Sequence, residues 1–301
     1  MTDGFLNVYK EQDFTSFDVV AKLRGIFGQK KIGHTGTLDP MAEGVLPVAL
    51  GRAAKLSELL TEKDKTYEAV MLLGCETDTD DVTGKPLREK GVGPEVTEER
   101  IRETGAAFRG KMMQLPPMYA AIKKDGKKLY EYARAGKTVE REKRPVEIYS
   151  LEITGIALPE VVFRVTCSRG TYIRALCRDW GEALGCGGTM KALVRTKVLS
   201  LTAEGAYRLS ALEEMKKEGR LQEAVLPMDF FFPGGPAAAP AGTGEKKLMN
   251  GNPLRKDELE FIRQKDEAEQ ADFVKIYSGD ALSALYRFSP EKGLFMPYKM
   301  L

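Results

Sequence analysis

Residues 31–52 read Lys-Ile-Gly-His-Thr-Gly-Thr-Leu-Asp-Pro-Met-Ala-Glu-Gly-Val-Leu-Pro-Val-Ala-Leu-Gly-Arg. Gly33, Gly36 and Gly44, together with Pro40, surround one acid, Asp39, and the chain's one histidine, His34, lies in the same run. Glycine is costly inside a helix or strand and proline removes a backbone donor, so residues 29–44 read as a shaped loop between regular elements. Loops held by a rigid scaffold are where binding and catalytic groups concentrate. Two readings of Asp39 stay open on the residues alone: a working carboxylate, or an Asx turn closed on its own backbone.

The chain's 301 residues exceed what one core usually serves, so a large domain with a smaller one is expected. Pro233 to Gly244 is almost entirely Pro, Gly and Ala, which is linker chemistry. The domain reading is 1–232, a linker over 233–245, and 246–301, the last long enough for a small β-barrel only. Residues 5–9 alternate as a short strand. Thr15 and Asp18 then stand at capping-box spacing before a helix reaching Phe27, with Val19, Val20, Leu23 and Ile26 on one face. The pattern next predicts a helix over 52–60, a strand over 66–73, and an acidic turn-rich segment over 74–96. A capped helix over 97–108, a strand over 118–123 and a helix over 128–135 stopped by Gly136 follow. Two β-rich stretches between Pro145 and Cys167, a helix over 171–184, a strand over 189–199 and a helix over 211–217 complete the large domain.

Net charge is +2, from 46 basic and 44 acidic residues, so distribution says more than the sum. Basic residues gather at Lys30-Lys31, at Lys123-Lys124 with Lys127-Lys128, and over 137–144; acids gather over 76–81 and 257–269. Each basic cluster alone reads as solvated surface, but three of them flanking one loop point to phosphate contact. The four cysteines lack C-x-x-C spacing, and one histidine cannot complete a zinc set with them. In Asp78-Thr79-Asp80 the glycine a calcium loop needs falls one position late, at Gly84. No metal is assigned. No apolar stretch reaches membrane-spanning length and residues 1–10 lack signal-peptide regions, so a cytoplasmic protein without membrane contact is expected.

The run Gly33-His34-Thr35-Gly36-Thr37-Leu38-Asp39-Pro40, with Ala42-Glu43-Gly44-Val45-Leu46 after it, resembles the active-site motif of the bacterial tRNA pseudouridine-55 synthases, the TruB family. Further motifs follow in the family's order: Lys65-Thr66-Tyr67, Thr77-Asp78-Thr79-Asp80, the blocks 116–123 and 128–134, and Arg169-Gly170-Thr171-Tyr172-Ile173-Arg174. Asn250-Gly251-Asn252-Pro253 is similar to the start of the family's PUA-type module. The resemblance spans nearly the whole chain. It implies an α+β fold: a mixed, largely antiparallel sheet of the pseudouridine synthase type flanked by helices, plus a small C-terminal β-barrel-like, PUA-type domain. It also implies cofactor-independent isomerisation of the uridine at position 55 of the tRNA T-loop. The partner is the T-stem-loop of tRNA, and the enzyme is a monomer with no obligatory protein partner.

That reaction breaks N1–C1′, turns the uracil and joins C5 to C1′, so it needs one carboxylate near the sugar, a pocket for the detached base, and a means of extruding the nucleotide. By the resemblance Asp39 is the carboxylate, acting on C1′, on uracil C6 or on the C2′ proton, and the residues do not choose among these. Arg174 matches the arginine that pairs with it and keeps it ionised. Tyr67 matches the tyrosine that stacks on the uracil and can serve as a base, Tyr172 offers a second contact, and Leu193 an apolar wall. His34 matches the residue that fills the gap left by the flipped nucleotide. Lys10, Lys31 and Lys123 are read as RNA contacts. Without the family match each tyrosine, and Leu193 too, reads as ordinary core.

Three departures stand out. The family's Lys-Pro-x-Gly-x-Thr-Ser appears as Lys10-Glu11-Gln12-Asp13-Phe14-Thr15-Ser16, Glu43 replaces the usual Thr, and the match weakens after Arg255. Three rival functions are a glycoside hydrolase using Asp39 and Glu43, a non-catalytic RNA-binding factor, and a guide-RNA-dependent relative. Paired glycosidase carboxyls lie about 5–9.5 Å apart across a sugar. Pro40 and Gly44 argue against a rigid helix presenting both acids, and Trp180 alone is a poor sugar platform.

Overall fold

A computed structural model describes residues 1–61 and 64–301. Seven strands form the main path of the large sheet, in the order Gly4–Lys10, Glu43–Leu50, Gly188–Val198, Lys65–Leu73, Glu160–Cys167, Arg144–Ala157 and Gly110–Gln114. Neighbours run antiparallel except at one junction, where Glu43 and Gly44 pair in parallel with Val194 and Arg195. With two register positions in contact, this junction is a seam between two halves of the sheet. The fold is α+β, mixed and largely antiparallel, as expected.

Each half has its own core. The helix Ser16–Phe27 packs Val19, Val20, Leu23 and Ile26, with Leu209 and Leu212 of the helix Leu209–Lys217, onto Leu6, Val8, Leu46 and Val48. Thr15 caps the first helix reciprocally with Asp18, and Gly28 closes it in the left-handed region. On the other half Ile173–Leu184 lays Leu176, Cys177 and Trp180 over Phe163 and Met71. Gly105 of the helix Glu98–Ala106 lets Trp180 approach closely; a Cβ there would lie 2.4 Å from the indole.

Several expectations are corrected. The glycine-rich loop is narrower than 29–44, because Ile32–His34 forms a short strand on Glu43–Leu50. The strand Gly4–Lys10 is buried on both faces, since Leu6 and Val8 meet the helices while Phe5 meets the C-terminal region. No strand spans 118–123; only Lys123–Lys124 pairs, with Lys127–Lys128, across a turn with φ of 49° at Asp125 and 80° at Gly126. The carbonyls of Leu115 and Tyr119, just before it, are taken instead by Arg178 and Arg174.

The segment 233–245 is not a free tether. Ala237–Pro240 is a strand paired with Leu259–Arg263 on one side and Val274–Ser278 on the other. Its small side chains suit a tightly covered strand, and Ala237 and Ala238 are fully buried. The C-terminal strands form a five-stranded sheet that continues through Ala281–Ser289 to Leu294–Met300. Among the described residues no ladder closes its outer strands into the expected barrel; a single bridge, Leu254 just before Leu259–Arg263 to Phe295 of the last strand, links the two edges. Leu282 and Leu285 of that sheet share an apolar cluster with Phe5, Ala49, Leu56 and Leu60 of the large one. Tyr277 Oη donates to Asp229 at 2.6 Å and Lys275 Nζ to the Phe232 carbonyl at 2.7 Å across the same junction. No helix among the described residues is long and apolar enough to cross a membrane.

Candidate active site

The loop 35–42 emerges at the seam and is held at both ends. Thr35 N donates to Pro47 O at 3.0 Å, and Ser16 Oγ accepts from Leu38 N at 2.9 Å. Directly after the second anchor Asp39 meets Arg174 in a two-point grip: Nε to Oδ2 at 3.0 Å and Nη2 to Oδ1 at 3.2 Å. Arg174 stands in the first turn of Ile173–Leu184, just after Tyr172, whose backbone N–H and C=O are both bound by the Gln114 side chain at 2.9 and 3.0 Å. The rest of the guanidinium binds Thr79 O at 3.1 Å, Tyr119 O at 2.8 Å and, at 3.5 Å, Asp81. A buried cation with two carboxylates and two carbonyls is well satisfied, and it ties three loops to one helix.

Asp39, Tyr67, Tyr172, Arg174 and Leu193 line one cleft of about 800 Å³, together with Lys65, Arg144, Arg169 and Arg195. The Asp39 side chain is 35% exposed, whereas that of Arg174 is 5% exposed. Burial pushes the Asp39 carboxyl above the usual aspartate range, and the Arg174 guanidinium pulls it back only in part. Arg174 thus favours the ionised carboxylate as expected of a paired guanidinium, but desolvation is the larger effect. Burial likewise raises the phenols of Tyr67 and Tyr172, with Arg195 opposing it at Tyr67 and Arg174 at Tyr172.

Other sequence candidates lie elsewhere. Lys10 is fully buried, and its ammonium donates to the carbonyls of Ala42, Glu11 and Pro40 at 2.6, 2.9 and 3.1 Å. It is an internal clamp on the Asp39 loop, not an RNA contact, and burial lowers it from the ordinary 10.5 to about 8. His34 pairs with Val48 in the short strand and is not among the residues lining the cleft; its Nδ1 is buried without a hydrogen-bond partner. Burial and the nearby Arg195 hold its imidazole below the usual histidine range, so the ring is neutral at neutral pH. Lys31 and Lys123 are exposed and also lie outside the cleft lining.

The departures from the family pattern have local explanations. Asp13 takes the left-handed φ of 67° where the motif has glycine, a conformation Asp tolerates better than most residues. Glu11 pairs with Arg208 at 2.6 Å, and Glu43 is absent from the cleft lining. The sequence reading missed Asp81, Gln114 and Arg195. For Arg195 a signal existed: it shares the strand face of Leu193, two positions earlier.

Comparison with known proteins gives this site its family. Residues 24–173 match the model of the TruB family pseudouridylate synthase N-terminal domain, and residues 174–232 that of the tRNA pseudouridylate synthase B C-terminal domain. The chain belongs to the TruB family. The tRNA pseudouridine synthase B of Lachnoclostridium phytofermentans is 48% identical, over 99% of both chains. That of Burkholderia mallei is 43% identical, over 92% of this chain and 90% of the relative. Among solved structures, a Cbf5-Nop10-Gar1 complex aligns with a TM-score of 0.71 at 26% identity, over 99% of this chain and 84% of that one. An H/ACA RNP bound to a substrate RNA containing 2′-deoxyuridine aligns at 0.69 and 25%, with the same coverage.

Proposed function

We propose that this chain isomerises the uridine at position 55 of the tRNA T-loop to pseudouridine, without a cofactor, with Asp39 as catalytic carboxylate. Family membership and relatives named tRNA pseudouridine synthase B support the reaction. One observation supports the choice of carboxylate: Asp39 is aimed into the cleft by the two-point grip of Arg174, beside Tyr67, Tyr172 and Leu193. The N1–C1′ bond breaks, C5 bonds to C1′, the C5 hydrogen leaves as a proton, and N1 gains one. Attack on C1′, attack on C6 and removal of the C2′ proton all need Asp39 ionised. Tyr67 and Tyr172 offer flat faces to the detached base, and Leu193 an apolar wall.

Arg144 and Arg169 add positive charge to the cleft, and the exposed Lys31 and Lys123 supply phosphate contacts outside it. His34, neutral and planar, fills the stack vacated by the flipped base. Residues 1–232 form the catalytic domain, and the C-terminal sheet, whose first strand is Ala237–Pro240, forms a PUA-type RNA-binding domain. The enzyme acts as a cytoplasmic monomer with tRNA as its partner and no obligatory protein subunit.

The test uses tRNA transcripts carrying tritium at uracil C5, because joining C5 to C1′ expels that hydrogen. The native protein releases tritium in the presence of EDTA, and Asp39→Asn does not. Release by the Asn variant, or abolition of turnover by chelation of a still-folded enzyme, overturns the proposal.

A further inference from the structure

We propose that Arg195 is a positioning residue of this isomerisation, holding the loop that carries Asp39 in a fixed place beside Tyr67. The inference rests on the reading of Asp39 as catalytic carboxylate. Arg195 lies within Gly188–Val198 and is 1% exposed, yet it lines the cleft. Its Nε donates to Val45 O at 2.7 Å, Nη2 to Gly36 O at 3.1 Å and Nη1 to Thr37 O at 3.3 Å. Tyr67 stands opposite it in register on the neighbouring strand and lines the same cleft. One guanidinium therefore ties the start of the Asp39 loop to the strand that follows that loop, next to Tyr67 on the adjoining strand.

The backbone is built to put it there. Arg195 is opposed by Gly44 across the seam and by Tyr67 on the other side, and the pairing shifts register between Arg195 and Lys197. Such a bulge re-aims a side chain. Gly44, at φ 103°, admits the Arg195 backbone: a Cβ there would lie 2.2 Å from the Arg195 carbonyl oxygen. Among the described residues the hydrogen-bond acceptors of this cation are backbone carbonyl oxygens rather than a carboxylate. Its charge is thus left uncancelled beside Tyr67 and Asp39, both of which it favours in their ionised forms. A planar fork with five donors can span these carbonyls, and an ammonium at the end of a flexible stem cannot.

The experiment compares native enzyme, Arg195→Lys, Arg195→Met and Asp39→Asn. It measures thermal midpoint, affinity for a T-stem-loop RNA, and single-turnover tritium release at saturating enzyme across pH. Arg195→Lys keeps the charge and the fold, so affinity stays within about threefold while the saturated rate falls about 30-fold or more, the scale expected for misplaced reacting groups. Arg195→Met also moves the alkaline limb of the rate profile upward, because the cation beside the phenol is gone. A Lys variant within about twofold of the native saturated rate overturns the proposal, as does a rate loss matched by equal losses of affinity and thermal midpoint. Asp39→Asn separates the two readings: tritium release by it refutes the carboxylate assignment, whereas its silence beside a fast Lys variant refutes only the role of Arg195.

Discussion

Replacing Lys10 by Met tests how the Asp39 loop is held, since Met keeps most of the volume and removes both charge and donor. Two effects oppose each other. The buried ammonium sits at about 8 rather than 10.5. At about 1.4 kcal/mol per pH unit, its charge costs the folded state roughly 3 kcal/mol near neutral pH, which Met recovers. Against this, three carbonyls lose their donor. The bond to Ala42 O is buried, whereas those to Glu11 O and Pro40 O are only partly so. A buried unsatisfied carbonyl costs about 1–3 kcal/mol and a wetted one less, so the loss is roughly 2–5 kcal/mol. The terms nearly cancel, and global stability near neutral pH stays within about 2 kcal/mol of the native protein. The turn after Asp39 nevertheless loses its tether, and the saturated rate falls on the order of 100-fold.

The sign of the pH dependence decides whether this reasoning is right. Below about 8 both folded and unfolded chains carry the charge, so the burial penalty is complete. Between about 8 and 10.5 the folded chain releases the proton while the unfolded chain keeps it. The unfolded state then binds more protons, and the free energy of unfolding rises with pH by up to about 3 kcal/mol. The Met variant lacks this contribution, and other titrating groups cancel in the difference. Urea unfolding of both proteins across this range should show the native chain gaining about 3 kcal/mol over the variant. A difference that stays flat would refute the reasoning, because the charged ammonium would then be buried without cost.

Asp39→Asn should abolish tritium release while tRNA affinity stays within a few-fold, since phosphate contacts supply most of the binding; a filter-binding titration checks the second half. Gly44→Ala forces a side chain into the Arg195 backbone at a positive φ, and should lower stability by about 3 kcal/mol or more; an unchanged thermal midpoint would show that the seam relaxes freely. Deleting 245–301 should do more than weaken RNA binding. It uncovers Phe5, Ala49, Leu56 and Leu60, so the melting temperature of the remainder should fall by about 10 °C, measured by scanning calorimetry. Glu43→Thr should leave turnover within about twofold, because Glu43 is outside the cleft lining, and a large loss would revive the acid-pair reading.

Elements governed by near neighbours were legible in the chain. Thr15 and Asp18 form the capping box their spacing announces, and Gly185 ends its helix at φ 81°. Glu43–Leu50 was not recognised because it is covered on both faces, so it carries a continuous apolar run rather than an alternation. Ala237–Pro240 reads as linker in the sequence because Ala and Pro carry no strand signal until two neighbours pair with them. At the site, the motif residues Asp39, Tyr67, Tyr172 and Arg174 converge with Leu193, but Lys10 points inward and His34 lies off the cleft lining.

By itself the sequence determined the caps, the turns, the helix faces and which motifs belong together, because these depend on residues a few positions apart. Only the tertiary structure decided which cations face the cleft and which serve the protein's own carbonyls. Nothing in the sequence marks Lys10 or Arg195 as a donor to the protein's own carbonyls. One is withdrawn to clamp the turn after Asp39, and the other reaches Gly36, 159 positions away. The physical reason is that a buried charge must find its partners among whatever carbonyls and carboxylates the folded sheet brings near, and no local pattern records them.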